Sequence, residues 1–185
     1  MRGCACRGTA GFAHVSCLAE QARRLVAEAF ENNLGREVIN ARFMRWHTCG
    51  LCEQEHHGVV RCALGWACWK TYVGRPETDQ IHGMRDDTRI FAMTQLGNGL
   101  SAGGHYADAL SVREAELSTL RRLGAPEECI LITQSNLANT YQILGQAEKA
   151  LRARRDTYSG WLKLGAKMTQ LPSAKPVTSR LRSLV

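Results

Sequence analysis

The stretch Asn136-Leu137-Ala138-Asn139-Thr140-Tyr141-Gln142-Ile143-Leu144-Gly145-Gln146-Ala147-Glu148-Lys149-Ala150-Leu151 decides the fold. Gly145 falls where a helix would stop, because glycine accepts the left-handed backbone conformation of a helix C′ position. A shift of 41 residues superimposes an upstream segment on this one: Leu96 on Leu137, Gly104 on Gly145, Ala109 on Ala150, Leu110 on Leu151 and Arg113 on Arg154. Leu123 and Gly124 fall on Leu164 and Gly165, and Leu100 and Leu120 fall on Tyr141 and Trp161. A fixed period of this length marks a helical repeat. Glycines 104, 124, 145 and 165 are read as helix ends. Pro126-Glu127-Glu128 is a start signal, with acids in the first turn. The expected units are 86–103 with 106–123, and 126–144 with 147–164. Ala138 and Ala150 are small enough to let paired helices approach closely.

Working upstream, Val59 to Val73 is an apolar segment that reads as a helix. It contains Arg61 and Lys70 and is shorter than the ~20 residues a membrane span needs. Its Trp66, Trp69 and Tyr72 are expected to fill core, with the helix capping the first repeat. Gly97 and Gly99 lie inside the next helix, where each costs ~1 kcal/mol relative to alanine. Between residues 18 and 46 the pattern is again helical: Leu18, Ala22, Leu25, Val26, Ala29 and Phe30 share one face. A second short helix is expected from Arg36 to about Trp46.

The N-terminal part carries the chemistry. Five of the eight cysteines and one of the six histidines come as pairs: Cys4-x-Cys6, His14-x-x-Cys17 and Cys49-x-x-Cys52. Residues two apart in an extended segment face the same side. Residues three apart share a face of an opening helical turn. Cys-x-x-Cys is a tight-turn zinc chelate. Met1-Arg2-Gly3 opens no apolar signal segment, so reduced thiols and metal are read rather than disulfides, and the expected localisation is intracellular, cytoplasmic. The other cysteines read as small hydrophobes: Cys62 and Cys68 on different faces of one helix, and Cys129 in core. His56 and His57, in a polar run, read as solvated. His47 has no partner at ligand spacing.

The order of these pairs, with Gly8-Thr9 and Leu18, resembles the later part of a RING-CH (RING-variant) zinc finger over residues 3–52. In that family the chelating pairs interleave. The resemblance therefore implies one complete zinc site of Cys4, Cys6, Cys49 and Cys52. His14 and Cys17 become half of a second site. The family's first Cys-x-x-Cys has no counterpart here, so an upstream segment carrying it is the expected missing partner. The gap from Cys17 to Cys49 is longer than usual for the family and reads as an inserted helical hairpin. The Asn-Leu-Ala motif and long period over 85–165 resemble tetratricopeptide repeats of the kinesin-light-chain kind. Such a resemblance implies a groove for partner proteins, and Asn136, Asn139, Arg113, Arg154 and Arg155 are candidates for it, suited to an extended or acidic peptide.

The expected fold is thus mainly α: a small zinc-stabilised RING-variant-like module over 1–58, a connecting helix over 59–75, a short α-solenoid of helix-turn-helix repeats over 76–165, and a disordered basic tail over 166–185 with Pro172, Lys175, Pro176, Arg180 and Arg182. That tail accounts for part of the formal charge of +7. No motif or aromatic platform supports nucleic-acid binding. No catalytic constellation stands out. By resemblance, a ubiquitin-conjugating enzyme is the partner if the chain belongs to a ubiquitin ligase. The residues themselves favour a zinc-binding interaction module. A truncated product without activity is the third reading.

Overall fold

The structure, a computed structural model, describes residues 3, 4, 6, 13–75, 80–81, 84–85 and 88–170, with the side chains of 80–85 and 167–170 left aside. Seven α-helices run through the described residues: α1 Val15–Glu31, α2 Arg36–Phe43, α3 Gly58–Tyr72, α4 Thr88–Ala102, α5 Tyr106–Arg122, α6 Glu127–Ile143 and α7 Ala147–Gln170. A 3-10 turn, Met44–Trp46, follows α2. Two-residue strands β1 Gln80–Ile81 and β2 Met84–Arg85 pair antiparallel between α3 and α4. None of these helices is long and apolar enough to cross a membrane.

Gly104, Gly124 and Gly145 end α4, α5 and α6 with φ of 84°, 60° and 73°, the left-handed region in which a side chain is strained. Gly165 differs: it lies inside α7, which continues to Gln170. Among the described residues no further helix follows α7 to pack back on it, so helix propensity is unopposed there. The expected disordered tail therefore begins no earlier than 171, and its prolines and basic residues lie outside the described residues.

One core joins the N-terminal helices to the rest. Ala22 and Val26 of α1, Phe43 of α2, Trp46, Cys68 and Tyr72 of α3, and Ala92 of α4 form a single buried cluster. Aromatic rings knit it together: Phe43 lies 4.6 Å from Phe91, and Trp46 stands edge-on to Tyr72 at 5.9 Å. Edge-on and tilted pairs at such distances favour the ring quadrupoles as well as burial. The segment between the cysteine pairs is thus built into the core under α3 and α4. Two residues expected in the core are instead exposed. Trp66 is exposed, because it sits on the face of α3 turned away from α1 and α4, and Cys129, in the first turn of α6, is exposed too.

α3 and α4 cross at unusually close range, and glycine permits it. A Cβ on Gly65 would lie 2.7 Å from the Gln95 carbonyl oxygen of α4, and one on Gly99 would lie 2.8 Å from the Arg61 carbonyl oxygen of α3. Both helices therefore present bare backbone at the crossing, which explains a glycine that helix propensity alone disfavours.

From α4 onward each helix packs on the next, α4 on α5, α5 on α6 and α6 on α7. Ala109, Ala138 and Ala150 are buried at these contacts. α5 also carries two buried charges between its neighbours. Arg113 donates to Asn98 Oδ1 of α4 at 3.0 Å, to the Asn136 carbonyl at 3.3 Å and to Thr140 Oγ1 of α6. Glu116 accepts from Thr94 Oγ1 at 2.5 Å and Thr133 Oγ1 at 3.3 Å. Burial pushes the Glu116 carboxyl up, against the lowering by both threonines and Arg113. A folded pKa above the unfolded value means that the unfolded chain releases its proton first, so this group withdraws stability as pH rises above the unfolded pKa. Glu116→Gln should therefore gain on the parent as pH rises from 4 to 7. Melting curves of the two proteins at both pH values check this; a constant difference would refute it.

Candidate metal centre

The centre is built by a narrow hairpin and the segment that lies against it. Thr48 and Glu55 pair as an antiparallel bridge, and the His56 N–H donates to the His47 carbonyl at 2.7 Å. Between them, the Cys49 N–H donates to the Gln54 carbonyl at 2.9 Å, and the Glu53 N–H to the Cys49 carbonyl at 3.1 Å. Glu53 takes a positive φ of 57° to close the turn. The Leu51 N–H points at Cys49 Sγ, 3.4 Å away. On the other side, the Gly3 carbonyl accepts from the His57 N–H at 2.8 Å. A Cβ on Gly3 would lie 2.4 Å from Val60 Cβ, so only glycine lets this segment lie against the start of α3. That contact delivers Cys4 and Cys6 to the hairpin.

The four thiols of Cys4, Cys6, Cys49 and Cys52 all lie within 4.8 Å of one another, a group that can hold a metal ion. Cys4 and Cys49 are buried, and Cys6 and Cys52 half-buried. Cys6 Sγ and Cys49 Sγ are 3.8 Å apart. Sulfurs on a tetrahedron of ~2.3 Å metal–sulfur bonds are separated by about 3.8 Å. A disulfide would bring them to ~2.0 Å, and all eight cysteines are free.

The thiols shape one another's ionisation. Hydrogen bonds shared with Cys52 and Cys4, together with burial, push Cys6 up to about 12. Cys49 behaves oppositely. Although burial raises it, the Cys52 and Leu51 N–H groups and the neighbouring thiols bring it down to about 7. The hairpin thus prepares Cys49 as a thiolate, while the crowd of thiols resists further negative charge unless a cation shares it. A coordinated cation reverses that balance, because it deprotonates its thiol ligands outright.

His14 and Cys17 are brought together as well, at the start of α1. Their Nδ1 and Sγ atoms are 4.0 Å apart and exposed, and among the described residues no third metal-ligating side chain joins them. Cys68 is buried, where its apolar surroundings raise the thiol, and Cys62 is half-buried.

The histidines differ from the sequence reading. His57 is exposed as expected, but His56 is 5 % exposed and His47 8 %. The hairpin's pairing turns both onto α3, beside Arg61. Burial, opposed by Glu55 and reinforced by Arg61, drives His47 down to about 4, and burial lowers His56 also. The signal in sequence was their nearly symmetric placement about Cys49-x-x-Cys52, which a hairpin brings face to face.

The candidate partner-binding residues separate. Asn139 and Arg154 line one open cleft of about 290 Å³ between α6 and α7, with Tyr158 and Trp161. Arg154 also donates to Gln142 Oε1. Arg155 is exposed outside it, Asn136 is half-buried with its carbonyl accepting from Thr140 Oγ1 at 2.9 Å, and Arg113 is buried in the contacts described above. No family model matches this chain, and no curated protein or solved structure is found to be similar to it, so its chemistry rests on these side chains.

Proposed function

We propose that the chain is a zinc-stabilised protein-interaction module, in which a four-cysteine zinc site anchors a RING-CH-like segment to a short tetratricopeptide-like array that docks partner proteins. The observation that carries this is the convergence of Cys4, Cys6, Cys49 and Cys52 within 4.8 Å. Four thiols gathered this closely, one pair of them at the 3.8 Å separation of a tetrahedral site, suit zinc, whose structural sites are closed and cysteine-rich. The cysteine-only ligand set disfavours magnesium and calcium, which take oxygen ligands. Native mass spectrometry of protein prepared without chelators should show one tightly held zinc per chain. Protein that carries no metal yet keeps an ordered 47–57 hairpin would refute this reading.

The docking half is supported by α7, where Tyr158 and Trp161 are exposed beside Asn139 and Arg154. Exposed aromatics next to an amide and a guanidinium resemble interface centres. Asn139→Ala combined with Trp161→Ala should reduce recovery of specific partners in quantitative pull-downs by at least about ten-fold, the loss of one anchor residue. Partner recovery identical to the parent's would mean that this face is ordinary surface.

The His14–Cys17 pair favours a second reading, a RING-CH-type ubiquitin ligase. Structural zinc needs about four ligands to fix a backbone, and among the described residues two are brought together here. The 185-residue chain by itself is therefore expected not to stimulate discharge of ubiquitin from a loaded conjugating enzyme onto free lysine. The same chain joined to a segment that supplies Cys-x-x-Cys should do so. Stimulation by the chain alone would overturn the requirement for the second site.

A further inference from the structure

Arg61 and Arg113 are both buried arginines, and their surroundings differ in a telling way. Arg113 donates to three acceptors, on Asn98, Asn136 and Thr140, and Glu116 favours its charge as Glu55 favours that of Arg61. Arg61, 4 % exposed, donates to one acceptor among the described residues, Gln95 Oε1 at 2.8 Å. No carboxylate there lies within ion-pair distance of it. A guanidinium has five N–H donors, and Glu55, whose charge favours that of Arg61, is exposed and out of ion-pair reach, so the buried cation is incompletely compensated.

Arg61 forms part of the wall of a cleft of about 360 Å³ between the 47–57 hairpin and helices α3 and α4. His47, His56, Gln95 and Asn98 line the same cleft, and Glu55 stands at it with its side chain exposed. The Nδ1 atoms of His47 and His56 are buried without a hydrogen-bond partner among the described residues. Two buried histidines with unpartnered ring nitrogens thus share one small cavity with a buried cation, in the size range of small-molecule sites.

We propose that this cleft is a binding site for a small ligand bearing an oxyanion, a carboxylate or phosphate group, held by Arg61 with His47 and His56. An oxyanion supplies both a counter-charge in direct contact and the several acceptor lone pairs that Arg61 lacks, and guanidinium–oxyanion bonds are the strong, charge-assisted kind. Glu55 biases the site toward a ligand whose charge is confined to the end that meets Arg61, because a second anionic group at the rim would face the carboxylate. The site is separate from the four-thiol centre, although the hairpin that carries Cys49 and Cys52 also forms its wall.

The test is titration of the zinc-loaded full chain with inorganic phosphate and, in a parallel arm, acetate, followed by the ¹⁵N signals of the histidine rings at constant pH and ionic strength. The expected result is saturable movement of the His47 and His56 signals with one or both anions, while His105, outside the cleft, stays still. Movement with phosphate alone or acetate alone supports the site and identifies which oxyanion it prefers. Arg61→Gln should abolish saturation, whereas Arg121→Gln, which removes an exposed arginine on α5, should leave it unchanged. If Arg61→Gln does not fold, the parent titration still decides. Absence of saturable movement with either anion, movement spread equally over all histidines, or equal saturation in Arg61→Gln would overturn the proposal.

Discussion

Removing metal with a strong chelator is expected to disorder the 47–57 hairpin and the Gly3–Cys6 segment while leaving most helical signal in place. The hairpin's own backbone bonds are few, and Glu53 holds a left-handed conformation that costs ~1–2 kcal/mol without a compensating ligand. Structural zinc contributes on the order of 10 kcal/mol to small sites of this kind. The helices have a separate source of stability, the cluster of Val26, Phe43, Trp46, Tyr72 and Ala92. Hydrogen exchange should therefore rise steeply at 47–57 on metal removal, with far-ultraviolet circular dichroism little changed. Cys49→Ser should act in the same way and lower overall stability by more than about 4 kcal/mol, the range reached when a structural metal is lost. Unaltered exchange at 47–57 in metal-free protein would show that the thiols cluster for another reason.

The second large effect is expected at the α3–α4 crossing. Alanine normally stabilises a helix by ~1 kcal/mol over glycine, so Gly65→Ala and Gly99→Ala should each help if propensity governed. Their new methyl groups would instead meet backbone carbonyls at 2.7 and 2.8 Å, which cannot swing aside as a side chain can. Overpacking of this kind costs about 1–3 kcal/mol and sometimes more. Each variant should lose roughly 2 kcal/mol net, a fall of about 4–8 °C in Tm for a chain of this size. The double variant should lose less than the sum, because the first methyl already forces the helices apart. Gly97→Ala is the comparison: its methyl would meet the Arg113 side chain at 3.3 Å, a milder contact than either carbonyl, so it should lose less than Gly65→Ala or Gly99→Ala. A higher Tm for Gly65→Ala than for the parent would show that the helices do not cross this closely.

Local chemistry in the chain was enough to determine the helices, their order and most of their ends. Glycine's tolerance of positive φ makes Gly104, Gly124 and Gly145 readable as stops, and the spacing of cysteines makes two chelating pairs readable as ligands. These are properties of a few neighbouring residues. Gly165 shows the limit of that reasoning: the same residue at the same period stays within a helix, and among the described residues no following helix packs back on it. Tertiary structure alone decided which distant groups meet. Gly65 and Gly99, 34 residues apart, each supply the space the other helix's backbone occupies. His47 and His56 read as polar bystanders until the hairpin bond between them turns both beside Arg61. Arg113, a candidate for a binding groove by its repeat position, is drawn instead into the α4–α5–α6 contacts. In each case the deciding quantity is burial or close approach between segments far apart in sequence. A periodicity or a spacing does not contain it, because desolvation depends on what the rest of the chain places nearby.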